Sequence, residues 1–386
     1  MKIVVTGTRG IPHISGGVEM HCQELYPRVA DAYTKVTVVR RRAYAVAPVV
    51  DVFEGVDIKD IGAPRGKSLE AIVHTFRAVI YAKWVKADIV HIHAVGPGLM
   101  VPLARLLKMK VVFTHHGEDY NRAKWGWLAR CMLRLGERLA MRNAQHVIVI
   151  SDVVLTEMKR KYPRQTHITL IPNGVQARLS EETQGDDKET LKQWSLVPQN
   201  YILSVGRIVE EKGFDRLAQA FIEVAPKFLK LVIVGGITRN DRYTDKLRAI
   251  CRKDDRIVMT GTLGHDKLFP LYRYARLFVL PSSHEGLPIA LLEAMVYKCP
   301  VLVSDIPAHR AMRLPDGSYF TGTTPDELTK ALHKRLEQGA LKRVAYDMSA
   351  YNWRSIATRT KKIYEELCYG TTADIHTEYK NLIGRD

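Results

Sequence analysis

The feature that most constrains this chain is an alternation of short apolar runs with longer helical segments, repeated from one end to the other. Runs such as Ile3–Thr6 and Tyr201–Val205 are almost continuously apolar, as in strands buried on both faces of a parallel sheet. The segments between them, for example Leu69–Val85 and Phe214–Ala225, are long enough to be crossover helices. The pattern predicts the α/β class, with doubly wound parallel sheets.

The alternation occurs twice, and 386 residues are too many for one ordinary core. A polar, acidic stretch at Ser180–Thr190 separates the two halves and is the predicted linker. We expect two Rossmann-like domains, residues 1–178 and 179–352, that face a central ligand-binding cleft. A late helix in 353–386 is expected to pack back on the first domain.

Five scattered cysteines, none spaced as C-x-x-C, argue against a disulfide framework or a zinc site and favour a reducing cytoplasm. The opening residues predict a first strand rather than a signal peptide, because the apolar run after Lys2 is short. No apolar run reaches the length of a membrane span. We therefore expect a cytoplasmic protein.

The net charge of +17 is concentrated in the first half of the chain. Residues 1–178 contain 27 Lys and Arg against 14 Asp and Glu, whereas the remainder contains 31 against 27. Such a basic surface attracts anionic lipid, nucleic acid or polyphosphate, although it is also compatible with simple solubility.

A glycine-rich turn follows the first predicted strand, with Gly7, Gly10, Gly16 and Gly17 before a helix. Such a turn can bring backbone amides close to an anion. Its spacing fits a nicotinamide dinucleotide motif poorly, and the second strand ends in Arg40–Arg42 instead of an acidic residue. Those arginines leave an NADP site open as an alternative.

The strongest signal is the segment that carries Glu285, Gly286 and, eight residues after Glu285, Glu293. A strand ends at Pro281, and Pro288 suits the first turn of the following helix. Two carboxylates near a phosphate-binding helix start can hold the hydroxyls of a sugar and a ribose. If this pair were the only signal, a glutamate that caps the start of the helix would be the simpler interpretation.

A second motif, with two cations, lies upstream of the glutamate pair. Arg207 and Lys212 follow the predicted strand Tyr201–Val205, at the edge where α/β folds bind ligands. Arg offers a fork of donors and Lys a point charge, so together they can neutralise a diphosphate. The combination favours a nucleotide-binding site over solvent-exposed charge.

The pattern G-R-x-x-x-x-K-G followed by E-G-L-P-x-x-x-x-E resembles that of the retaining glycosyltransferases of family four, which have the GT-B fold. Weaker matches lie in the first half, at Gly16-Gly17, Thr114–Gly117 and Ile171–Val175. The opening G-T-R-G-I-P is similar to a subgroup that acts in bacterial surface-polysaccharide assembly. The resemblance covers nearly the whole chain.

The resemblance implies a nucleotide-sugar donor, UDP- or GDP-linked, with no cofactor and no metal, in keeping with the absence of a D-x-D signature. It also implies a lipid-linked saccharide acceptor in capsule, O-antigen or exopolysaccharide synthesis. The implied catalytic residues are His116, Glu285, Arg207 and Lys212. The implied donor-binding residues are Gly16, Gly17, Arg207, Lys212, Glu285, Gly286, Leu287, Pro288, Ile289 and Glu293.

Each implied role has a chemical reason. Arg207 and Lys212 would stabilise the charge of the departing diphosphate without a metal. Glu293 would hold the ribose hydroxyls, Glu285 the hydroxyls of the transferred sugar, and His116 would touch that sugar near its reacting carbon. The favoured mechanism for such enzymes is same-face attack, in which the departing phosphate oxygen takes the acceptor's proton.

Two further stretches bear on the site. Relatives often carry a glutamate a few residues after the segment Ser304–Pro307, but here Ala308–Ala311 contains none. His91 and His93 end a predicted strand, and a structural role is favoured slightly over a place in the cleft for each.

The stretch Lys124–Arg142 is basic and amphipathic, with arginines recurring mostly every four residues and tryptophans at its start. This pattern suits an anionic membrane surface. A core helix with a solvated basic face explains it equally well. We expect peripheral association with the inner face of the membrane as one of these two possibilities.

Two other function classes compete with the glycosyltransferase. An NADP-dependent oxidoreductase would use Arg40–Arg42. A basic nucleic-acid-binding protein would use the positive first half, but the sequence contains no recognisable reading motif. We therefore expect no nucleic-acid partner.

Overall fold

The computed structural model describes residues 1–14, 16–64, 69–117, 120, 126–175, 184–237, 242–322, 324–339 and 341–370. The chain divides into two compact units. The N-terminal unit holds Met1–Gly174 and the described residues from Ala350 onward, and the C-terminal unit is Val175–Ser349. The sequence had suggested boundaries after residues 178 and 352. None of the described helices is long and apolar enough to cross a membrane.

The N-terminal unit is built on an eight-stranded sheet. Its strands are β1 (Lys2–Thr6), β2 (Lys35–Arg41), β3 (Val52–Phe53), β4 (Val56–Ile61), β5 (Ile89–His93), β6 (Lys110–His115), β7 (His146–Val149) and β8 (Ile168–Leu170). The order across the sheet is β3-β4-β2-β1-β5-β6-β7-β8. All neighbours are parallel except β3 and β4, which pair antiparallel.

Helices cover both faces of this sheet. They are α1 (Gly17–Val29), α2 (Leu69–Trp84), α3 (Val101–Leu106), α4 (Trp127–Asn143), α5 (Asp152–Lys161) and α13 (Trp353–Tyr369). Because side chains alternate along a strand, Ile3 and Val5 pack into one core together with Ile363 of α13. Val4 points to the opposite face and packs into a second core with Val79 of α2.

The C-terminal unit is built on a fully parallel six-stranded sheet. Its strands are β9 (Tyr201–Val205), β10 (Lys230–Val234), β11 (Ile257–Gly261), β12 (Leu277–Leu280), β13 (Val301–Ser304) and β14 (Tyr319–Phe320). Its helices are α6 (Gln184–Gln193), α7 (Phe214–Val224), α8 (Arg242–Cys251), α9 (His265–Tyr274), α10 (Ile289–Val296), α11 (Pro307–Arg310) and α12 (Pro325–Glu337). The strand order is β11-β10-β9-β12-β13-β14.

The predicted linker Ser180–Thr190 is wrong over most of its length. From residue 184 onward the chain is helical, as α6, and residues 180–183 lie outside the described residues. The acidic residue Asp187 is buried because Arg273 of α9 pairs with it, and Leu191 is buried one turn later. The polar sequence therefore did not indicate this helix, because contacts with a distant segment stabilise it.

Each sheet has one point at which the chain reverses its direction of winding. In the N-terminal unit this switch point lies between β1 and β5, and in the C-terminal unit between β9 and β12. Loops at the carboxyl ends of these strands are where open α/β sheets bind ligands. The predicted site residues Arg207, Lys212 and Glu285 follow β9 and β12, and His93 ends β5.

Candidate functional site

In the C-terminal unit, the loops after β9 and β12 are held against each other. The loop after β9 closes with a 3-10 turn, Glu210–Lys212, and then Gly213 adopts the left-handed conformation with φ +68°. A Cβ atom at Gly213 would lie 2.6 Å from the carbonyl oxygen of Pro281 in the other loop. Only glycine satisfies both the conformation and the close approach. This packing positions Lys212 beside Glu285.

Lys212 and Glu285 form an ion pair, with 2.5 Å between Nζ and Oε1. Both side chains are largely buried, at 16% and 9% exposure. Burial alone would raise the pKa of Glu285, but the charge of Lys212 and its hydrogen bond outweigh this and lower that pKa. The carboxylate therefore stays ionised at neutral pH, and the pair offers a cation and an acceptor side by side.

His309 belongs to the same charged cluster, although the sequence analysis did not select it. It lies in α11 after β13, is fully buried, and donates from Nδ1 to the backbone oxygen of Ser304 at 2.8 Å. Burial lowers its pKa, and the ring interacts electrostatically with both Glu285 and Lys212. It lies in the stretch Ala308–Ala311, so a neutral imidazole stands close to where relatives often carry a glutamate.

Arg207 lies directly after β9 and Gly206, at the carboxyl edge of the sheet, and its side chain is exposed. The backbone there is tightly packed, because a Cβ atom at Gly235 would lie 1.8 Å from the oxygen of Gly206. The structure thus brings Lys212 and Glu285 into direct contact and places Arg207 at the start of the same loop as Lys212. Its predicted role toward a diphosphate stays a prediction.

The segment Gly286–Ile289 leads into α10, which begins at Ile289 with Pro288 as its N-cap. No side chain caps this helix start by a hydrogen bond. Helix N-termini carry a partial positive charge and unpaired N–H groups that suit a phosphate. The geometry is compatible with the predicted phosphate contact of Gly286, Leu287, Pro288 and Ile289, which stays a prediction.

Glu293 lies within α10, and its side chain is 12% exposed. The hydroxyl of Tyr272 donates to it at 2.8 Å, and Nε2 of His265 is 3.9 Å from its other oxygen. Burial raises the pKa of Glu293 to about 7, against the opposing effect of the Tyr272 hydrogen bond. The predicted ribose-binding carboxylate therefore changes its charge near neutral pH.

In the N-terminal unit, histidines gather at the carboxyl ends of β5 and β6. His91 and His93 are fully buried, and His116 follows β6 in a partly buried position. Nδ1 of His93 is 2.9 Å from Nε2 of His116. The side chain of His21, from α1, lies edge-on to His116, with 5.0 Å between ring centroids. The predicted residue His116 therefore sits among three other imidazoles.

Two buried tyrosines complete this cluster, and no local sequence pattern points to either. The hydroxyl of Tyr26 is 2.5 Å from Nε2 of His93 and 3.0 Å from Nδ1 of His91. The hydroxyl of Tyr364, from α13, is 2.5 Å from Nδ1 of His91. Nε2 of His91 is 2.7 Å from the hydroxyl of Thr114. We call these residues, with His116, the histidine–tyrosine network.

The imidazoles of this region are neutral at pH 7. Burial lowers the pKa of His21 to about 4, and it lowers the pKa values of His91, His93 and His116 well below their usual range, with further lowering from neighbouring histidines. One nitrogen each from His21, His93 and His116 lies within 4.8 Å of the others, a grouping that could hold a metal ion. The sequence had predicted no metal ligands.

The glycine loop after β1 is anchored by a carboxylate. Glu19, in the first turn of α1, accepts hydrogen bonds from the Thr8 hydroxyl at 3.2 Å and the Arg9 amide at 2.9 Å. Gly16 has φ +151°, and a Cβ atom there would lie 2.0 Å from Glu19. Gly17 begins α1 with open space around it. Their predicted contact with a donor phosphate stays a prediction.

Two of the three arginines of the NADP alternative, Arg40 and Arg41, are engaged in the fold. Arg40 is buried and contacts both oxygens of Asp60, at 2.7 and 2.9 Å. Its guanidinium also donates to the backbone oxygens of Ile11 and Val50. Arg41 is paired with Glu70 at 4.0 Å. These contacts, with the carboxylate of Glu19 in the glycine loop, do not favour a phosphorylated dinucleotide.

Two doubly wound α/β units, each with polar residues at its switch point, are the architecture expected of the GT-B fold. The sucrose-phosphate synthase of Thermosynechococcus elongatus superposes with a TM-score of 0.79, over 95% of this chain and 98% of its own, at 21% identity. This likeness confirms the predicted GT-B fold.

Family models identify the chain further. The model described as Glycosyltransferase Family 4 matches residues 15–179, and the model described as Glycosyl transferases group 1 matches residues 199–338. The chain belongs to the family-four, group-1 glycosyltransferases, as the motifs had predicted.

Relatives with assigned reactions match part of the chain. The Rhizobium leguminosarum bv. viciae lipopolysaccharide core biosynthesis mannosyltransferase LpcC is 25% identical over 63% of this chain. The Escherichia coli UDP-Gal:alpha-D-GlcNAc-diphosphoundecaprenol alpha-1,3-galactosyltransferase is 28% identical over 62%. The matches span 66% and 62%, respectively, of those two proteins.

Proposed function

We propose that this chain transfers a sugar, with retention of configuration, from a UDP- or GDP-linked donor to a lipid-linked saccharide. The product would serve bacterial capsule, O-antigen or exopolysaccharide synthesis. The observation that carries the proposal is the buried ion pair of Lys212 and Glu285 at a switch point, within the region matched by the group 1 model. The two relatives above, which act on lipopolysaccharide core and on a diphosphoundecaprenol-linked sugar by name, support the acceptor class.

The charges of the C-terminal unit suit a diphosphate leaving group. Lys212 and Arg207 would neutralise the charge that grows on the departing diphosphate, which makes a metal unnecessary in this scheme. When the diphosphate binds, Lys212 would share its charge between Glu285 and the phosphate. Glu285 would then be available to accept a hydrogen bond from a hydroxyl of the transferred sugar. Glu293 would accept hydrogen bonds from the ribose hydroxyls.

The retaining step needs no nucleophile from the protein. The bond between the anomeric carbon and the diphosphate oxygen breaks, and the acceptor oxygen bonds to that carbon on the same face. The acceptor's proton passes to the departing phosphate oxygen. His116, which is neutral, would hydrogen-bond the donor sugar without adding charge near the oxocarbenium-like centre.

The outer face of α4 supports peripheral binding to an anionic membrane. Trp127 and Leu128 are 79% and 65% exposed, and Leu135 is 48% exposed. The only acidic residue of α4, Glu137, is buried, where it accepts hydrogen bonds from Tyr120 and Tyr162. The exposed face is therefore apolar and basic. Its exposed cations are Arg130, Arg134, Arg138 and Arg142; Lys124 and Trp125 lie outside the described residues.

Donor binding is the first test. Thermal melts with UDP, GDP, ADP, dTDP and their sugar conjugates should show stabilisation by one nucleotide family, of roughly 2.7 kcal/mol at about 100 times the dissociation constant. The shift should disappear in Lys212→Ala. Stabilisation by NADPH alone would instead support the oxidoreductase.

Membrane binding is tested separately, by co-sedimentation with vesicles that contain phosphatidylglycerol. The triple variant Arg130→Glu, Arg134→Glu and Arg138→Glu should lose binding at low salt, because its face turns acidic. A matched control reverses three exposed cations near α5, with Lys159→Glu, Arg160→Glu and Arg164→Glu. Equal loss of vesicle binding in both variants would show that net charge, and not the position of the α4 arginines, determines binding. Unaltered binding in the α4 triple variant would refute the role of α4.

A further inference from the structure

Three imidazoles of the N-terminal unit bring one nitrogen each close together. They belong to His21, His93 and His116, and those nitrogens lie within 4.8 Å of one another. Among the described residues, no other three histidine, cysteine or acidic side chains meet in a way that could hold a metal ion. We call these residues the three-histidine group. All three belong to the N-terminal unit, so the group is complete within one unit.

His21 carries the feature that points to a ligand. Its side chain is buried, at 2% exposure. Because an amide oxygen can only accept, Nδ1 of His21 donates to Oδ1 of Asn173 at 2.7 Å, and Nε2 is the nitrogen left for another ligand. Nε2 is buried and has no hydrogen-bond partner among the described residues. A buried polar atom without a partner costs free energy unless something binds to it.

Two of the three rings are already oriented by outer partners. A ligating imidazole binds the ion through one nitrogen and hydrogen-bonds an outer group through the other, which fixes the direction of the ring. The outer partner of His21 is Asn173. In His93, Nε2 is 2.5 Å from the hydroxyl of Tyr26, and Nδ1 lies on the side of His116. The fold therefore holds both rings in the manner of metal ligands.

The spacing of the nitrogens needs only a small adjustment. Nδ1 of His93 is 2.9 Å from Nε2 of His116, the length of a hydrogen bond. Nitrogens bound to one tetrahedral zinc ion, each about 2.0–2.1 Å from it, are roughly 3.4 Å from one another. An ion would therefore replace this hydrogen bond and move the two rings slightly apart. His116 is partly exposed, so an ion can enter from its side and complete its coordination there with water.

The donor set selects the kind of ion. Three uncharged imidazole nitrogens suit Zn²⁺ and its neighbours Co²⁺, Ni²⁺ and Cu²⁺. Mg²⁺ and Ca²⁺ prefer oxygen ligands, which the group does not supply. Three histidines with an open fourth position are also the protein ligands of one well-known class of zinc site.

We propose that the three-histidine group is a zinc site, formed by Nε2 of His21, Nδ1 of His93 and Nε2 of His116. Bound zinc inhibits sugar transfer, because it places two positive charges beside the ring expected to meet the oxocarbenium-like carbon of the donor sugar. The inhibition rests on the proposed function, whereas the metal site does not. The ion is an inhibitor in this scheme and not a cofactor of the transfer.

The first test is zinc binding by the full chain, stripped of metal with a chelator and titrated at pH 7.5 against a chromophoric zinc indicator, with no donor present. We expect one tightly bound zinc ion per chain. Asn173→Ala should weaken binding about 10- to 100-fold, as loss of an outer partner does, and His116→Ala should weaken it further. His167→Ala, which removes an exposed histidine of the same unit outside the group, should leave the affinity unchanged.

X-ray absorption at the zinc edge identifies the ligands. The proposal expects three imidazole nitrogens at about 2.0–2.1 Å. A sulfur ligand would overturn it, since the ion would then lie on a cysteine. Equal affinity in the natural chain and His116→Ala, or no tight binding in the natural chain, would overturn it as well. Circular dichroism checks that each variant is folded, and His116→Gln replaces His116→Ala if the latter is not.

Inhibition is measured afterwards, with the donor identified in the melts and with free zinc held by a metal buffer. Zinc should halve the transfer rate near the dissociation constant found in the titration. In Asn173→Ala the concentration required should rise about 10- to 100-fold. Full activity in a chain whose site is filled would overturn the inhibitory role. The binding experiments contain neither donor nor acceptor, so they decide the metal site even if the proposed transfer reaction fails.

Discussion

The two units place opposite kinds of chemistry at equivalent points of similar sheets. At its switch point the C-terminal unit holds charges, with the ionised pair of Lys212 and Glu285. Near its own switch point the N-terminal unit holds imidazoles that burial keeps neutral, including His93 and His116. The same topology thus supports an ionic site in one half and an uncharged hydrogen-bonding site in the other.

Each kind of chemistry suits one kind of contact that the proposed nucleotide-sugar donor would need. A diphosphate carries charge that must be matched, whereas a sugar hydroxyl needs a donor or acceptor of defined direction. A charged imidazole close to an oxocarbenium-like carbon would raise the energy of the transition state, and a neutral one would not. The comparison therefore predicts that the C-terminal unit responds to removal of charge and the N-terminal unit to removal of a hydrogen bond.

The largest expected effect is that of Lys212→Ala. The change removes the cation proposed for the diphosphate and leaves Glu285 buried without its partner. We expect kcat/KM to fall about 10³-fold, in the range found for loss of a transition-state donor. The measurement is steady-state transfer with the donor identified in the melts.

Lys246→Ala is the matched control for that variant. Lys246 also pairs with a carboxylate of the C-terminal unit, Asp215 at 2.7 Å, but it is 57% exposed. Its removal should change kcat/KM less than about twofold, since an exposed lysine contributes little and the buried Asp215 still accepts a hydrogen bond from Tyr243. If Lys212→Ala kept activity within tenfold of the natural chain, the ionic half of the comparison would be wrong.

Glu293→Gln gives the next largest effect, on stability. The folded-state pKa of about 7 lies above that of an unfolded glutamate, so the folded chain retains a proton that the unfolded chain has released. Stability contributed by this group is therefore present below about pH 4.5 and is lost as the pH rises to 7. Glutamine cannot ionise and can still accept from Tyr272. At pH 8 it should stabilise the C-terminal unit by up to about 3 kcal/mol.

Urea titrations at pH 4 and pH 8, followed by hydrogen exchange in α10, check this expectation. The gain should vanish at pH 4, where both forms are uncharged. Glu223→Gln, at an exposed position of α7, is the control and should not reproduce the gain at pH 8. A stabilisation of equal size at both pH values would show that packing, not ionisation, is responsible.

The ionic half of the site could be predicted from the sequence, because its residues lie in short motifs beside strands. Lys212 and Glu285 follow predicted strands within a few residues, and parallel strands bring their carboxyl ends to one edge. The histidines and tyrosines of the N-terminal unit could not be predicted as a cluster in the same way. Tyr364 and His91 are 273 positions apart, and no local pattern joins them. Likewise, the buried Asp187 of α6 depends on Arg273, which made a helix look like a polar linker.

The smallest expected effect concerns the pH profile of transfer between pH 6 and 8. His116→Gln keeps a donor but removes the imidazole, and we expect a lower rate with an unchanged profile, because the pKa of His116 lies well below its usual range. The change of rate with pH should come from Glu293 instead. Its carboxylate is needed as an acceptor, so the donor KM should rise about tenfold as the pH falls from 8 to 6 through its pKa of about 7. Glu293→Gln should remove that dependence. A profile that changes shape in His116→Gln would mean that the N-terminal unit also uses a titrating group, and the contrast between the two sites would fail.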